Sequence, residues 1–467
     1  MRTRLFTSIL LFFVFSVTIN AKVRFASVFS DHMVLQRNSL VSVWGWANPG
    51  EKVYLVGSWL PTDTIVVEAN NDSSWSAEIR TGEAGGPYTL KAWDWEETVL
   101  NDVLLGEVWL CSGQSNMEWS VNHGILNGEE EVAKADIPAI RFYHVPKIGS
   151  GNPQENCLVS WEVCTSETMR QTSAIAYFYG KNLRDSLNVP IGLIVSAWGG
   201  TPAEVWLPSE HVTGNAELEK ASKVRDDFKW WPKQPGRCYH SMIQPLMPYG
   251  IAGAIWYQGE SNAAVGQTAT YDLLMRSLIQ SWREGFRKEF PFYFVQIAPY
   301  AYGENDRAYL VREQQTKTGA YPNTGMVVIW DLVDDVKNIH PKNKQAVGKR
   351  LANWALAKNY GWTDLVYRSP QYQSMRIEKN KIRIFFDSVL TGLTSPDKKI
   401  VGFTIAGEDR QFVPAEARID GKSVLVSAKN VKKPMAVRFL FGNASIGNLF
   451  TKEGLPVAPF RTDSFSE

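Results

Sequence analysis

The chain reads as an α/β protein: a parallel sheet covered by helices on both faces, flanked before and after by β-rich units. Three observations predict this. Between residues 105 and 365, continuous apolar runs alternate with amphipathic helical stretches. Residues 22–104 hold short strand-like runs separated by turn residues. The same short-strand pattern returns over residues 366–467. A chain of 467 residues exceeds one ordinary domain, and with 44% hydrophobic and 21% charged residues it has ample material for a core.

Taken in order, residues 1–21 read as a cleaved signal peptide. Arg2 and Arg4 make a positive start, Leu5 to Ile19 an apolar stretch too short for a membrane span, and Ala21 a small residue for cleavage. Removing both arginines takes the formal charge of +1 to near −1. The expected location is periplasmic or secreted, with no stable membrane insertion after cleavage.

Residues 22–104 suit an N-terminal β-sandwich. Leu40–Trp46, Lys52–Val56, Thr64–Val67 and Trp75–Ile79 are strand-like, with turns at Asn48-Pro49-Gly50 and Asn70-Asn71-Asp72. In residues 105–365 the apolar runs 103–111, 191–195, 251–257, 292–297 and 326–330 are too continuous for strands with one solvated face. Helical periodicity covers about 174–188, 271–286, 306–320 and 342–360. Strands alternating with helices imply parallel pairing, and such sheets place their sites at the strands' carboxyl ends. Residues 366–467 return to short strands, clearest at 382–386, 400–405, 423–426 and 436–440.

Composition narrows the function. A near-neutral chain without basic runs does not suit nucleic acid. The six histidines are scattered and no Cys-x-x-Cys pair exists, so no zinc site is expected. Cys157 and Cys164 either form a local disulfide or, with Cys111 and Cys238, are small buried hydrophobes. The 18 tryptophans serve core packing or sugar contact, with Trp119, Trp198, Trp206, Trp230, Trp231 and Tyr239 as candidate pocket walls.

Four segments following apolar runs carry the groups of acyl transfer. Ser115 lies in Gly113-Gln114-Ser115-Asn116-Met117, a strand-end position where a nucleophile is held at the sheet edge. Gly199 and Gly200 follow Val195 and leave backbone N–H groups open to an oxyanion. Glu260 and Asn262 follow Tyr257: Asn262 offers an amide donor, Glu260 a carboxylate to orient an imidazole. His340 follows Trp330 and precedes a helix, the place for the base that a serine hydroxyl requires.

These segments resemble the sialate O-acetylesterases, within the SGNH-type hydrolases. Gly113–Met117 matches the nucleophile block. Trp198-Gly199-Gly200-Thr201-Pro202 with Glu204 and Trp206 matches the glycine block. Trp256–Asn262 matches the third block, and Ile339–Lys344 the histidine block. Asp31–Arg37 and Glu453–Phe460 resemble the family's terminal signatures, so the likeness spans nearly the whole mature chain. It implies an SGNH-hydrolase-like fold and removal of O-acetyl groups from sugars, commonly the glycerol side chain of sialic acid. It also implies Ser115 as nucleophile, His340 as base, Gly199 or Gly200 with Asn262 as oxyanion donors, and no cofactor. One position departs. Many SGNH-type enzymes carry Asp three residues before the histidine, where this chain has Lys337. The orienting acid is therefore open: Glu260 first, by likeness to the Gln-Gly-Glu block of acetylxylan esterases, then Asp331, Asp334 or Asp335, or a dyad without an acid. Two other functions stay open as well, an acetylxylan or other plant-polysaccharide esterase and a non-catalytic carbohydrate-binding protein.

Overall fold

The structure, a computed structural model, describes residues 22–225 and 228–465. The signal-peptide expectation for residues 1–21 lies outside the described residues. No helix among those described is long and apolar enough to cross a membrane.

The central element is one long strand, β1 (Glu97–Gly113), in which two burial patterns follow each other. Up to Asp102 its residues alternate between exposed and half-buried, and this half pairs antiparallel with Gly85–Trp93 of the N-terminal sheets. From Val103 every residue is buried, and this half is a middle strand of the hydrolase sheet. The change of pattern near residue 105 is therefore a change of neighbours along one continuous strand. It welds the N-terminal unit to the centre.

Around β1 lie β2 (Ile140–His144), β3 (Ile191–Ala197), β4 (Gly253–Tyr257), β5 (Phe292–Val295) and β6 (Thr324–Val327), in spatial order β2-β3-β1-β4-β5-β6. All these pairings are parallel, with the short strand Glu162–Val163 antiparallel on the outer edge of β2. Buried on both faces, such strands require covering helices. After the one-turn α1 (Ser115–Glu118), these are α2 (Ala174–Leu187), α3 (Tyr271–Gly285), α4 (Ala308–Thr318) and α5 (Lys344–Asn359). Local signals fix several ends. The Ser173 hydroxyl accepts from the Ala176 N–H at 3.1 Å and opens α2, which Asn188 closes in the left-handed conformation. The Asn343 side chain accepts from the Ala346 N–H at 3.1 Å and opens α5.

The N-terminal strands of 24–93 form two antiparallel groupings, with Val34–Gln36 added parallel to β1. The C-terminal strands from Tyr372 to Arg461 form two four-stranded sheets and a two-stranded one. This unit braces the centre: the Trp330 indole donates to the Val457 carbonyl at 2.8 Å, and Arg461 pairs with Glu313 at 2.7 Å. All four cysteines are free and buried.

Candidate active site

Register brings three of the four segments together. Ala197, the last residue of β3, and Tyr257, the last of β4, both pair with Gly113 at the end of β1. The loops carrying Trp198–Gly200, Gln114–Ser115 and Gln258–Asn262 therefore leave the sheet side by side. Gly113 is required there. Its φ of +139° suits glycine, and a Cβ would stand 2.2 Å from the Tyr257 carbonyl oxygen. β6 ends at Val327, earlier than the sequence suggests, and residues 328–343 carry His340 back to the same edge.

There the Ser115 hydroxyl and His340 Nε2 lie 2.9 Å apart. The imidazole stacks on Trp119, with ring centroids 4.1 Å apart and planes 21° from parallel. Burial first, then the nearby Lys344 and His123 charges, push its pKa down to about 4. His340 is thus a neutral base over most of the pH range.

The acid expected behind it is elsewhere. Glu260 Oε1 accepts from the Asn116 amide at 2.7 Å, and its Oε2 has no hydrogen-bond partner among the described residues. Among the described residues the imidazoles that meet a carboxylate are those of His32 and His144. The fallback acids are also occupied or remote: Asp331 is paired with Arg350 at 2.6 Å, Asp335 accepts from the Lys337 N–H at 2.8 Å, and Asp334 is exposed. The geometry is that of a Ser–His dyad whose imidazole is held by an indole face. The Glu260 carboxylate is instead taken up by the amide of Asn116, next to the nucleophile.

The expected oxyanion donors divide. Asn262 is 1% exposed, and its amide donates to Glu204 at 2.8 Å, facing the loop interior. Its carbonyl is taken by the Ala203 N–H and the Gln258 amide. Gly199 does lie at the nucleophile, where a Cβ would come 3.2 Å from that of Ser115, but its N–H donates to the Glu118 carboxylate at 2.6 Å. Lys147 holds the other oxygen of Glu118, also at 2.6 Å. Gly200 has φ +80°, and Trp231 packs where its side chain would be, 2.3 Å from the Cβ position.

The cleft above Ser115 has a volume of about 580 Å³. Trp198, Trp230 and Trp231 form aromatic walls, and Arg225, paired with Asp306 at 2.6 Å, adds a cation. The other wall candidates serve elsewhere. Trp206 is core, Trp119 supports the imidazole, and Tyr239 borders a separate cleft against the N-terminal sheet.

Sequence reasoning named no role for Asn116, Glu118 or Lys344. Lys344 is 1% exposed and its ammonium donates to Asn116 Oδ1 at 2.6 Å. The Asn116 amide also donates to the Ile339 carbonyl at 3.0 Å. The available signal was position: a lysine in the first turn of a helix that follows the histidine.

A serine hydroxyl and an imidazole in contact at the strand ends of a parallel sheet, under an aromatic cleft, bring together two of the groups that acyl transfer requires. Residues 105–357 match the family model described as carbohydrate esterase, sialic acid-specific acetylesterase. Human sialate O-acetylesterase is 32% identical over 418 residues, covering 78% of this chain and 79% of that protein. The mouse sialate O-acetylesterase is 31% identical over 412 residues, covering 74% and 75%. A carbohydrate acetylesterase from Xanthomonas citri has a similar structure, with TM-score 0.86 and 34% identity over 95% of this chain and 100% of that one. The chain belongs to the sialic acid-specific acetylesterase family of carbohydrate esterases, and it is a carboxylic ester hydrolase acting on O-acetylated carbohydrate.

Proposed function

We propose that this protein is an exported serine esterase that removes O-acetyl groups from sialic acid by way of an acetyl-Ser115 intermediate. The observation that carries the mechanism is the 2.9 Å contact between Ser115 Oγ and His340 Nε2 at the floor of the cleft. Ser115 Oγ attacks the acetyl carbonyl while its proton passes to His340 Nε2. His340 then gives that proton to the leaving sugar oxygen, and acetyl-Ser115 remains. Water attacks the acetyl group, losing a proton to His340, which passes it to the leaving Ser115 Oγ as acetate is released.

The oxyanion needs donors beside Ser115. The Gly199 N–H is the one the loop offers once the Glu118 carboxylate moves aside, and Lys147 gives that carboxylate a partner. Ser115 opens α1, so its own N–H lacks an intrahelical acceptor and is a second donor. Asn262 and Glu260 act in this reading as supports for the loops. Trp119 does by stacking what a carboxylate does by hydrogen bonding in a triad: it fixes the plane of the imidazole.

Sialic acid as the sugar is supported by the names of the relatives. Export rests on the N-terminal pattern and predicts that a secreted product starts at Lys22 by N-terminal sequencing. The mechanism is tested with Ser115→Ala in an acetate-release assay over O-acetylated sialic acids and acetylated xylan. The expected loss is several orders of magnitude, up to roughly 10⁶. Near-wild-type turnover by the variant refutes the mechanism, and a preference for xylan refutes the assigned sugar.

A further inference from the structure

Below the dyad lies a buried polar chain that the reaction scheme does not use. Lys344 Nζ donates to Asn116 Oδ1 at 2.6 Å. The Asn116 amide donates to Glu260 Oε1 at 2.7 Å and to the Ile339 carbonyl at 3.0 Å. Asn116 follows Ser115 and Ile339 precedes His340, so one amide side chain ties together the segments that carry both reacting groups. Lys344 is also 5.6 Å from the centroid of Trp119, the ring that His340 stacks on, and 5.7 Å from that of Tyr257. An ammonium is costly to bury, and this one holds no direct ion pair among the described residues. Its placement therefore calls for a function.

We propose that Lys344 is a positioning residue for the ester hydrolysis. Its hydrogen bond to Asn116 holds Ser115 and His340 in register, and its charge sits beside Trp119, the ring on which the imidazole stacks. The inference rests on the Ser115–His340 reading, in a site where no carboxylate among the described residues meets that imidazole. Without such a carboxylate, nothing in the site favours imidazolium at rest, and a buried cation disfavours it further. Burial lowers the pKa of Lys344 itself to about 7, against the opposing effect of Glu260. The ammonium is therefore charged throughout the acidic range in which His340 titrates. The other groups near His340 are Ser115, Trp119 with His123 stacked on it at 5.4 Å, and Glu260 through Asn116. Of these only His123 adds positive charge, and only upon protonation.

The experiment compares Lys344→Gln and Lys344→Met with the wild-type full chain, reading kcat/KM against pH and kcat at pH 8. Gln keeps a donor for Asn116 without the charge, whereas Met keeps neither. Removing the cation lets His340 protonate more easily. The acidic limb should therefore move to higher pH in both variants, by about 0.5 to 1 unit. kcat at pH 8 should fall about tenfold or more in Lys344→Met and less in Lys344→Gln. An acidic limb unmoved in Lys344→Gln overturns the proposal, even with kcat lowered, because a merely structural lysine changes amounts and not the titration. If Lys344→Met does not fold, the Gln variant decides alone. Ser115→Ala distinguishes the two failures: if it retains activity, the dyad itself is wrong, whereas an inactive Ser115→Ala with an unmoved limb removes Lys344 only.

Discussion

Two buried glutamates stand at the same end of the sheet, each held by an asparagine amide: Glu260 by Asn116 at 2.7 Å and Glu204 by Asn262 at 2.8 Å. Both are nearly inaccessible, at 5% and 2% exposure, and burial pushes both carboxyls above their ordinary pKa. What separates them is the asparagine's other end. The Asn116 carbonyl meets the Lys344 ammonium, whereas that of Asn262 meets the Ala203 N–H at 3.0 Å and the Gln258 amide at 2.8 Å. The first pair is thus tied to a cation and to the segments of Ser115 and His340. The second is tied to neutral amides and joins the glycine loop to the loop after β4. In the proposed mechanism the first pair positions the reacting groups, whereas the second fastens two loops. The third partner decides which.

Truncating the two asparagines separates these roles. Asn116→Ala releases the Ile339 carbonyl and leaves Lys344 and Glu260 without their bridge, so Ser115 and His340 lose their common anchor. We expect kcat to fall about 100-fold, the cost of a misplacement on the order of 1 Å in a reacting pair. Asn262→Ala leaves Glu204, the Gln258 amide and the Ala203 N–H short of partners in a dry interior. It should lower unfolding stability by about 2 kcal/mol, with a smaller effect on turnover of the molecules that remain folded. Urea unfolding and active-site-normalised kcat check both. The comparison breaks if Asn262→Ala abolishes turnover at unchanged stability, which would return Asn262 to the oxyanion site.

Much of this was legible in the chain because strand ends are written as ends of apolar runs. Ser115, Gly199, Gly200, Glu260 and His340 all border the one cleft, and each follows a run that burial on both faces makes conspicuous. The parts that were not legible depend on what lies across the sheet. In β1 the shift from alternation to continuous burial falls within one strand, because a period reports the neighbours of a strand and not its continuity. Asn116 stood in the quoted motif without a role, since an amide's partners, here from residues 260, 339 and 344, are set by tertiary contacts. Glu260 had the right chemistry for a triad acid and the right loop. Its recorded partner is the amide of Asn116, a tertiary contact that the loop sequence does not spell out.

Glu204→Gln sharpens the contrast with the smallest effect. Burial raises the Glu204 carboxyl above its reference value of 4.5, so the folded state binds its proton more tightly than the unfolded chain does. Below the reference value the carboxyl is protonated in both states and costs nothing. As pH rises through the raised value, the folded state must accept a buried anion or keep a proton that the unfolded chain has released, and stability falls. A glutamine resembles the protonated acid and does not titrate. Glu204→Gln should therefore match wild type at pH 4 and exceed it at pH 8, by about 2 °C or more in Tm, with kcat little changed. Glu260→Gln gives no such simple gain, because it also strips Lys344 of the nearby negative charge that keeps its ammonium protonated. Its pH profile should change in activity as well as in stability. If thermal scans at the two pH values give one response for both glutamines, the two pairs are equivalent and Lys344 does not distinguish them.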